Sequence, residues 1–290
     1  IWLDMAIPYN EYPGKWKKSD IKKLGLSKDL ENSSKCENNI NNSREQIMKF
    51  IIENEITDVV TVGPGGYKPF HSGHLLSVKT AIEKAKLLRM GRKKVCIVIN
   101  TSCAGRRLKE TKTTTPWVIN RGTMYLVWDE FIQHSIDKIS GGIPVLVSWN
   151  GRATLFDLLN QCKTEGSLLT KLHPLYSPDN IVQLSKLFGG DWGIETDGKL
   201  YIRGFEQKRE ELNNQELSGT KSRQYIIDGN KDGFMMMSDG IINREGYFDI
   251  LRDIYLENNT DVGSAAGSAA GSAGGGVKIN SKRKKMNRHN

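Results

Sequence analysis

The sequence predicts an α/β chain in which a parallel β-sheet carries helices on both faces, and two observations lead there. Apolar, β-branched runs recur as TDVVTV (57–62), VCIVI (95–99) and IPVLVSW (143–149), continuous rather than alternating, as in strands buried on both sides. Between them lie stretches with apolar residues at helical spacing, and strands alternating with helices at such intervals build a parallel sheet.

In chain order, residues 1–45 lack a sustained apolar period and are rich in Asn, Lys and Ser, yet they hold Trp2, Tyr9, Tyr12 and Trp16. They read as an N-terminal arm: a disordered leader, one that packs on its own domain, or one that wraps a partner through its aromatic anchors and gains order there. A domain is expected over 46–259. SREQIMKFIIENEI (43–56) reads as a helix capped by Ser43, with Ile47, Phe50 and Ile51 at helical spacing. TDVVTVGPGG followed by HSGHLLSVKTAIEKAKLLR reads as strand, glycine turn and helix. RKKVCIVINTS is a second strand, a Trp- and Tyr-bearing helical stretch is expected at about 117–139, and IPVLVSW is a third strand.

Further on, ATLFDLLNQCK (153–163) and SPDNIVQLSKLF (177–188) read as helices and KLYIRGF (199–205) as a strand. GTKSRQYIIDGNKDGFMMMS holds a helix start and a second short helix, and YFDILRDIYLEN closes the domain with an amphipathic helix. Residues 260–276, dominated by GSAAGSAAGSAGGG, read as a flexible tether, and 277–290 as a basic tail.

Net charge is +9, but six of the positive charges lie in the last 13 residues, and removing them leaves +3. A nucleic-acid contact is therefore expected only through the tail, which otherwise reads as solvated or as touching an acidic protein surface. Apolar runs are far shorter than the roughly 20 residues a membrane helix needs, so no membrane partner and a cytoplasmic location are expected. Cys36, Cys96, Cys103 and Cys162 form no C-x-x-C pair and read as reduced thiols, Cys96 as a small core residue.

The densest chemistry lies in GGYKPFHSGH (65–74). His71 and His74 at i and i+3 suit a metal only if they share a helix face, but Pro69 and Gly73 interrupt that turn and no third ligand is adjacent. Ser72 lacks a G-x-S-x-G turn, which weakens a nucleophilic dyad. Phosphate handling fits better. A strand ending in Gly-Pro-Gly-Gly lets the backbone approach an anion, the following helix supplies free N–H groups, and two imidazoles with Lys68 add donors. It is not a Walker loop, because G-x-x-x-x-G-K-[ST] is absent.

A strand, a glycine turn and then K-P-x-H-x-G-H opening a helix resembles the H-x-G-H motif of the nucleotidyltransferase superfamily, which includes cytidylyltransferases, adenylyltransferases and ATP sulfurylase. The version here looks most like small cytidylyltransferase-like proteins of bacteria and their phages. LSGTKSR (217–223) is similar to the family's second motif, I-S-[SG]-T-x-x-R. Physically, Ser218 and Thr220 can cap a helix or donate to phosphate, and Arg223, one turn in, can reach the same anion. The resemblance covers about residues 56–256.

It implies a Rossmann-like doubly wound parallel sheet with the nucleotide at its topological switch point. By position, it implies catalytic roles for His71, His74 and Lys68, and nucleotide binding by Gly65, Gly66, Ser218, Gly219, Thr220 and Arg223. The implied reaction is in-line attack by a phosphate or hydroxyl acceptor on the α-phosphorus of ATP or CTP, with Mg²⁺, releasing pyrophosphate. The acceptor-selecting region shows no assignable pattern: GRRLKETKTTT (105–115) reads as a substrate lid or a solvated loop. Arg121 falls where related sequences often carry arginine, and a helix-surface salt bridge explains it equally well, while Trp117 and Trp128 read as packing residues. A second reading remains open, in which the fold is a scaffold for a larger assembly such as a phage particle and binds partners through residues 1–45 and 277–290.

Overall fold

Alternation along the central strands sorts their side chains into two buried layers. Val60, Val62, Val95, Ile97 and Ile99 join one apolar cluster, while Val59, Cys96 and Val98 join another. The computed structural model describes residues 34–65, 67, 69–101, 106–107, 118–119, 125, 127–177, 181–189, 192–194, 202–207, 211–212 and 215–266.

The strands are β1 (Asp58–Gly65), β2 (Val95–Thr101), β3 (Arg106–Arg107), β4 (Val118–Ile119), β5 (Val145–Ser148), β6 (Lys171–Tyr176), β7 (Trp192–Ile194), β8 (Ile202–Glu206), β9 (Glu211–Leu212) and β10 (Gln215–Glu216). Six of them form one sheet in the order β5-β2-β1-β6-β8-β7, and every pairing in it is parallel. β3 with β4 and β9 with β10 are short antiparallel ladders.

The helices are α1 (Ser34–Glu53), α2 (Ser72–Met90), a π-helical turn (Trp128–Gln133) running into α3 (His134–Ser140), α4 (Gly151–Lys163), α5 (Ile181–Phe188), α6 (Gly219–Asp228), α7 (Lys231–Met237) and α8 (Arg244–Ala266). Ile47, Leu155 and Leu184 seat α1, α4 and α5 in one layer. Leu75, Ile136, Ile226, Phe234 and Leu251 seat α2, α3, α6, α7 and α8 in the other. This is a Rossmann-like, doubly wound α/β fold. The chain winds outward from β1 through β2 to β5, then returns to lay β6 on the other flank of β1. A switch point therefore lies between β1 and β6, with a crevice expected at the carboxyl ends of both strands.

Several local expectations are corrected. Ser43 does not cap a helix. It lies inside α1, which begins at Ser34 and crosses the expected 45/46 boundary, and its buried hydroxyl accepts a hydrogen bond from Trp149 N. Arg44 pairs with Asp157 of α4, which helps anchor the turn from which α1 extends backward. Likewise α8 continues to Ala266, into the segment read as tether; adding residues to an established helix needs no new nucleus. The stretch at 117–139 begins with a strand, β4, before its helical part.

β6 is absent from the sequence reading although it is central. His173 and Pro174 interrupt its apolar run, and proline argues against an interior strand; nevertheless Pro174 pairs with Thr61 of β1. Short β7 was missed too. Cys96 and Cys162 are buried free thiols, and burial pushes both up to about 12. Trp128 is a packing residue, 3% exposed. Trp117 and Arg121 lie outside the described residues, as does most of 105–115. Among the described residues no helix is long and apolar enough to cross a membrane.

His173 has a structural partner. Its Nε2 lies 2.8 Å from Asp58 Oδ1 with both residues buried, Thr57 Oγ1 donates to Asp58 Oδ2 at 2.8 Å, and Lys93 Nζ stands 4.0 Å away. Burial pushes the Asp58 carboxyl up, but the hydrogen bonds from His173 and Thr57 and the nearby charges outweigh it and hold it below its ordinary value. A carboxylate depressed in the folded state stabilises above its unfolded value of about 3.9, and this contribution is lost as pH falls through the folded value. His173→Gln should cost about 3 kcal/mol at neutral pH by leaving a buried charge poorly matched. Urea unfolding should show that cost shrinking in acid as Asp58 takes up a proton; a cost independent of pH would rule out the hydrogen bond to the Asp58 carboxylate as its source.

Candidate functional site

The site begins where β1 ends. Its pairing with β2 is regular to Val62 and resumes with Gly65 opposite Thr101, so Gly63 and Pro64 form a bulge joined by a cis peptide. Gly63 has φ +92, and a Cβ there would stand 2.6 Å from the backbone oxygen of Asn100, so a side chain is excluded twice over. Gly65 lies under the ring of Tyr67, whose nearest atom is 2.9 Å from where a Cβ would be. Tyr67 itself has φ +47 and is buried against Phe70, Trp128 and His74. Gly65 thus shapes the turn, while Gly66 and Lys68 lie outside the described residues.

His71 and His74 build the start of α2 themselves. His71 is the N-cap in extended conformation, with φ −143 and ψ 173, and its Nδ1 accepts from Gly73 N at 3.2 Å. In return His71 N donates to His74 Nδ1 at 3.3 Å, which completes a capping box made of two imidazoles. The rings stack with centroids 3.7 Å apart. Because each Nδ1 is an acceptor, the neutral ring carries its proton on Nε2, and both rings stand at the positive end of a 19-residue helix.

The second motif arrives beside the first. A Cβ on Gly73 would stand 3.3 Å from Leu217 Cβ, so the residue before Ser218 runs against the first turn of α2. Ser218 caps α6, its hydroxyl accepting from Lys221 N at 3.2 Å, and Gly219 opens the helix. Arg223 is 6% exposed and donates from Nη2 to Thr220 Oγ1 at 3.0 Å. The fold thus brings His71, His74, Ser218, Gly219, Thr220 and Arg223 to two adjoining helix N-termini beside the switch point, and neither first turn carries an acid.

Among the described residues no group of three or more His, Cys, Asp or Glu could hold a metal ion. Ser72 is engaged elsewhere, its hydroxyl donating to Met237 O at 2.7 Å, which leaves no histidine–serine dyad. Sequence reasoning missed Tyr67, which packs edge-on to His74, and Tyr247 of α8, whose hydroxyl donates to Phe70 O at 3.1 Å. Tyr67 sits inside the motif and could have been singled out; Tyr247 reaches the loop only through tertiary packing, 177 residues away. Residues 1–33 and 267–290, most of both terminal arms, lie outside the described residues. No family model, curated protein or solved structure matches the chain.

The capping role separates from any role in binding. His71→Ala should cost about 1 kcal/mol of stability through loss of the cap, whereas His71→Asn, itself a good cap, should retain most of it. Urea unfolding of the two variants checks this; equal losses would show that the ring contributes by packing rather than by capping.

Proposed function

We propose that this chain is a nucleotidyltransferase that moves a nucleotidyl group from ATP or CTP to a phosphate or hydroxyl acceptor and releases pyrophosphate. The observation that carries the reading is the convergence of two helix N-termini, one bearing the stacked His71 and His74 with Nδ1 occupied, the other bearing Ser218, Thr220 and Arg223. A scaffold has no physical need to gather donors of this kind without an acid among them, whereas a triphosphate supplies the anionic oxygens they match.

In this reading the β- and γ-phosphates lie at the start of α6 and the α-phosphate faces the imidazoles. The acceptor oxygen attacks the α-phosphorus, a new P–O bond forms, and the bond to the bridging oxygen breaks so that pyrophosphate leaves with that electron pair; a hydroxyl acceptor gives up its proton to water. The Nε2–H groups of His71 and His74 stabilise the charge that builds on the α-phosphate oxygens. No covalent enzyme intermediate is needed, because positioning and charge stabilisation lower most of such a barrier. Among the described residues none form a resident metal cage, and in this reading Mg²⁺ would enter with the triphosphate. Lys68 and Gly66 belong to the reading through their place in the motif.

Thermal unfolding with ATP, CTP, GTP and UTP, each with Mg²⁺, tests the reading. One nucleotide at a hundred times its dissociation constant should stabilise the wild type by about 2.7 kcal/mol, and His74→Ala and Arg223→Lys should lose that gain. A wild type that none of the four stabilises at millimolar concentration would overturn the proposal.

A further inference from the structure

We propose that Tyr247 is a positioning residue for the histidine pair, its hydroxyl acting through the Phe70–His71 peptide to hold His74 in the tautomer that carries its proton on Nε2. Three observations join to make the relay. Tyr247 is fully buried on α8, held between Phe131 and Phe234 at ring distances of 5.5 and 5.4 Å, so the direction of its hydroxyl is set by packing. That hydroxyl donates to the carbonyl oxygen of Phe70 at 3.1 Å. The other end of the same planar peptide, His71 N–H, donates to His74 Nδ1 at 3.3 Å.

The bonds therefore run phenol to peptide to imidazole. A donor on the carbonyl draws electron density toward oxygen and makes the amide N–H a stronger donor, so consecutive bonds reinforce each other, most of all in a dry interior. At 3.3 Å the last bond is long, which makes it sensitive to the strength and angle of its donor. With Nδ1 held as acceptor, the proton of the neutral His74 ring is on Nε2. Burial raises the Tyr247 phenol well above its ordinary value, so it remains a donor throughout the range in which proteins are studied. Without this hydroxyl, the Phe70–His71 peptide loses the tie that fixes its tilt, and the Nδ1–H tautomer of His74 gains population.

A neighbouring contact provides the control. Ser72 Oγ donates to Met237 O at 2.7 Å and also fastens the start of α2 to the α7–α8 unit, but that bond does not pass through either imidazole. Loosening the junction in general and breaking the relay are therefore separable. The relay is a property of the free protein; only its consequence for binding rests on the nucleotidyltransferase reading.

The test is the ring-nitrogen spectrum of His74 by ¹⁵N NMR in the full chain, at a pH where the ring is neutral, for wild type, Tyr247→Phe and Ser72→Ala. The expected result is a wild-type ring with Nδ1 unprotonated, a Tyr247→Phe ring whose two nitrogen shifts move toward each other, and a Ser72→Ala ring like the wild type. ATP and CTP titrations with Mg²⁺ should then show affinity reduced about fivefold in Tyr247→Phe, the factor expected for one hydrogen bond. A folded Tyr247→Phe protein with the wild-type ring pattern overturns the relay, as does the same shift in Ser72→Ala. A shifted ring in a protein that binds neither nucleotide upholds the relay and removes the transferase reading.

Discussion

Everything at the candidate site depends on the close approach of two backbones at the end of β1. Gly63 turns with a positive φ against the Asn100 carbonyl, at a distance that admits no side chain. This contact lets β1 end between β2 and β6 and swing its chain over the top of the sheet into α2. Had β1 continued straight, the first turn of α2 would not stand at the switch point, and the histidines would open an ordinary surface helix.

Within that frame the two imidazoles have a double assignment. Each uses Nδ1 to satisfy a backbone N–H that the helix start would otherwise leave without a partner, which puts the proton of each neutral ring on Nε2. The helix cap and the donor pair are thus one structure. A carboxylate cap would satisfy the same backbone groups, but it would place negative charge where two helix dipoles are positive, and an anion would then be repelled rather than held.

The second half of the site is supplied by the carboxyl-terminal helices. Leu217 lies against Gly73, Ser72 is tied to Met237, and Tyr247 is tied to Phe70, so α6, α7 and α8 are fastened to the loop that carries the histidines. The buried Asp58–His173 pair belongs elsewhere, since Asp58 begins β1 whereas the donor cluster follows its end. The histidine that shares no motif thus helps hold the central strands together, and those in the motif cap the helix that follows β1.

By itself the sequence determined the fold class and the two motifs. Continuous β-branched runs report strands buried on both faces, helical spacing reports what covers them, and glycine, histidine and hydroxyl residues at helix starts report local backbone chemistry. All of these are short-range relations that a linear string preserves. Only the tertiary structure decided that Ser43 meets Trp149 rather than capping a helix, that KLHPLY is a central strand in spite of Pro174, and that His173 serves Asp58. It also decided that Tyr247 reaches Phe70 from the last helix of the domain. These pairings join residues far apart in the chain, and they follow from which strand lies beside which and which helix covers them. Once the layers are packed, a buried hydroxyl, proline or imidazole takes its role from the nearest partner in space, and no local pattern encodes that partner.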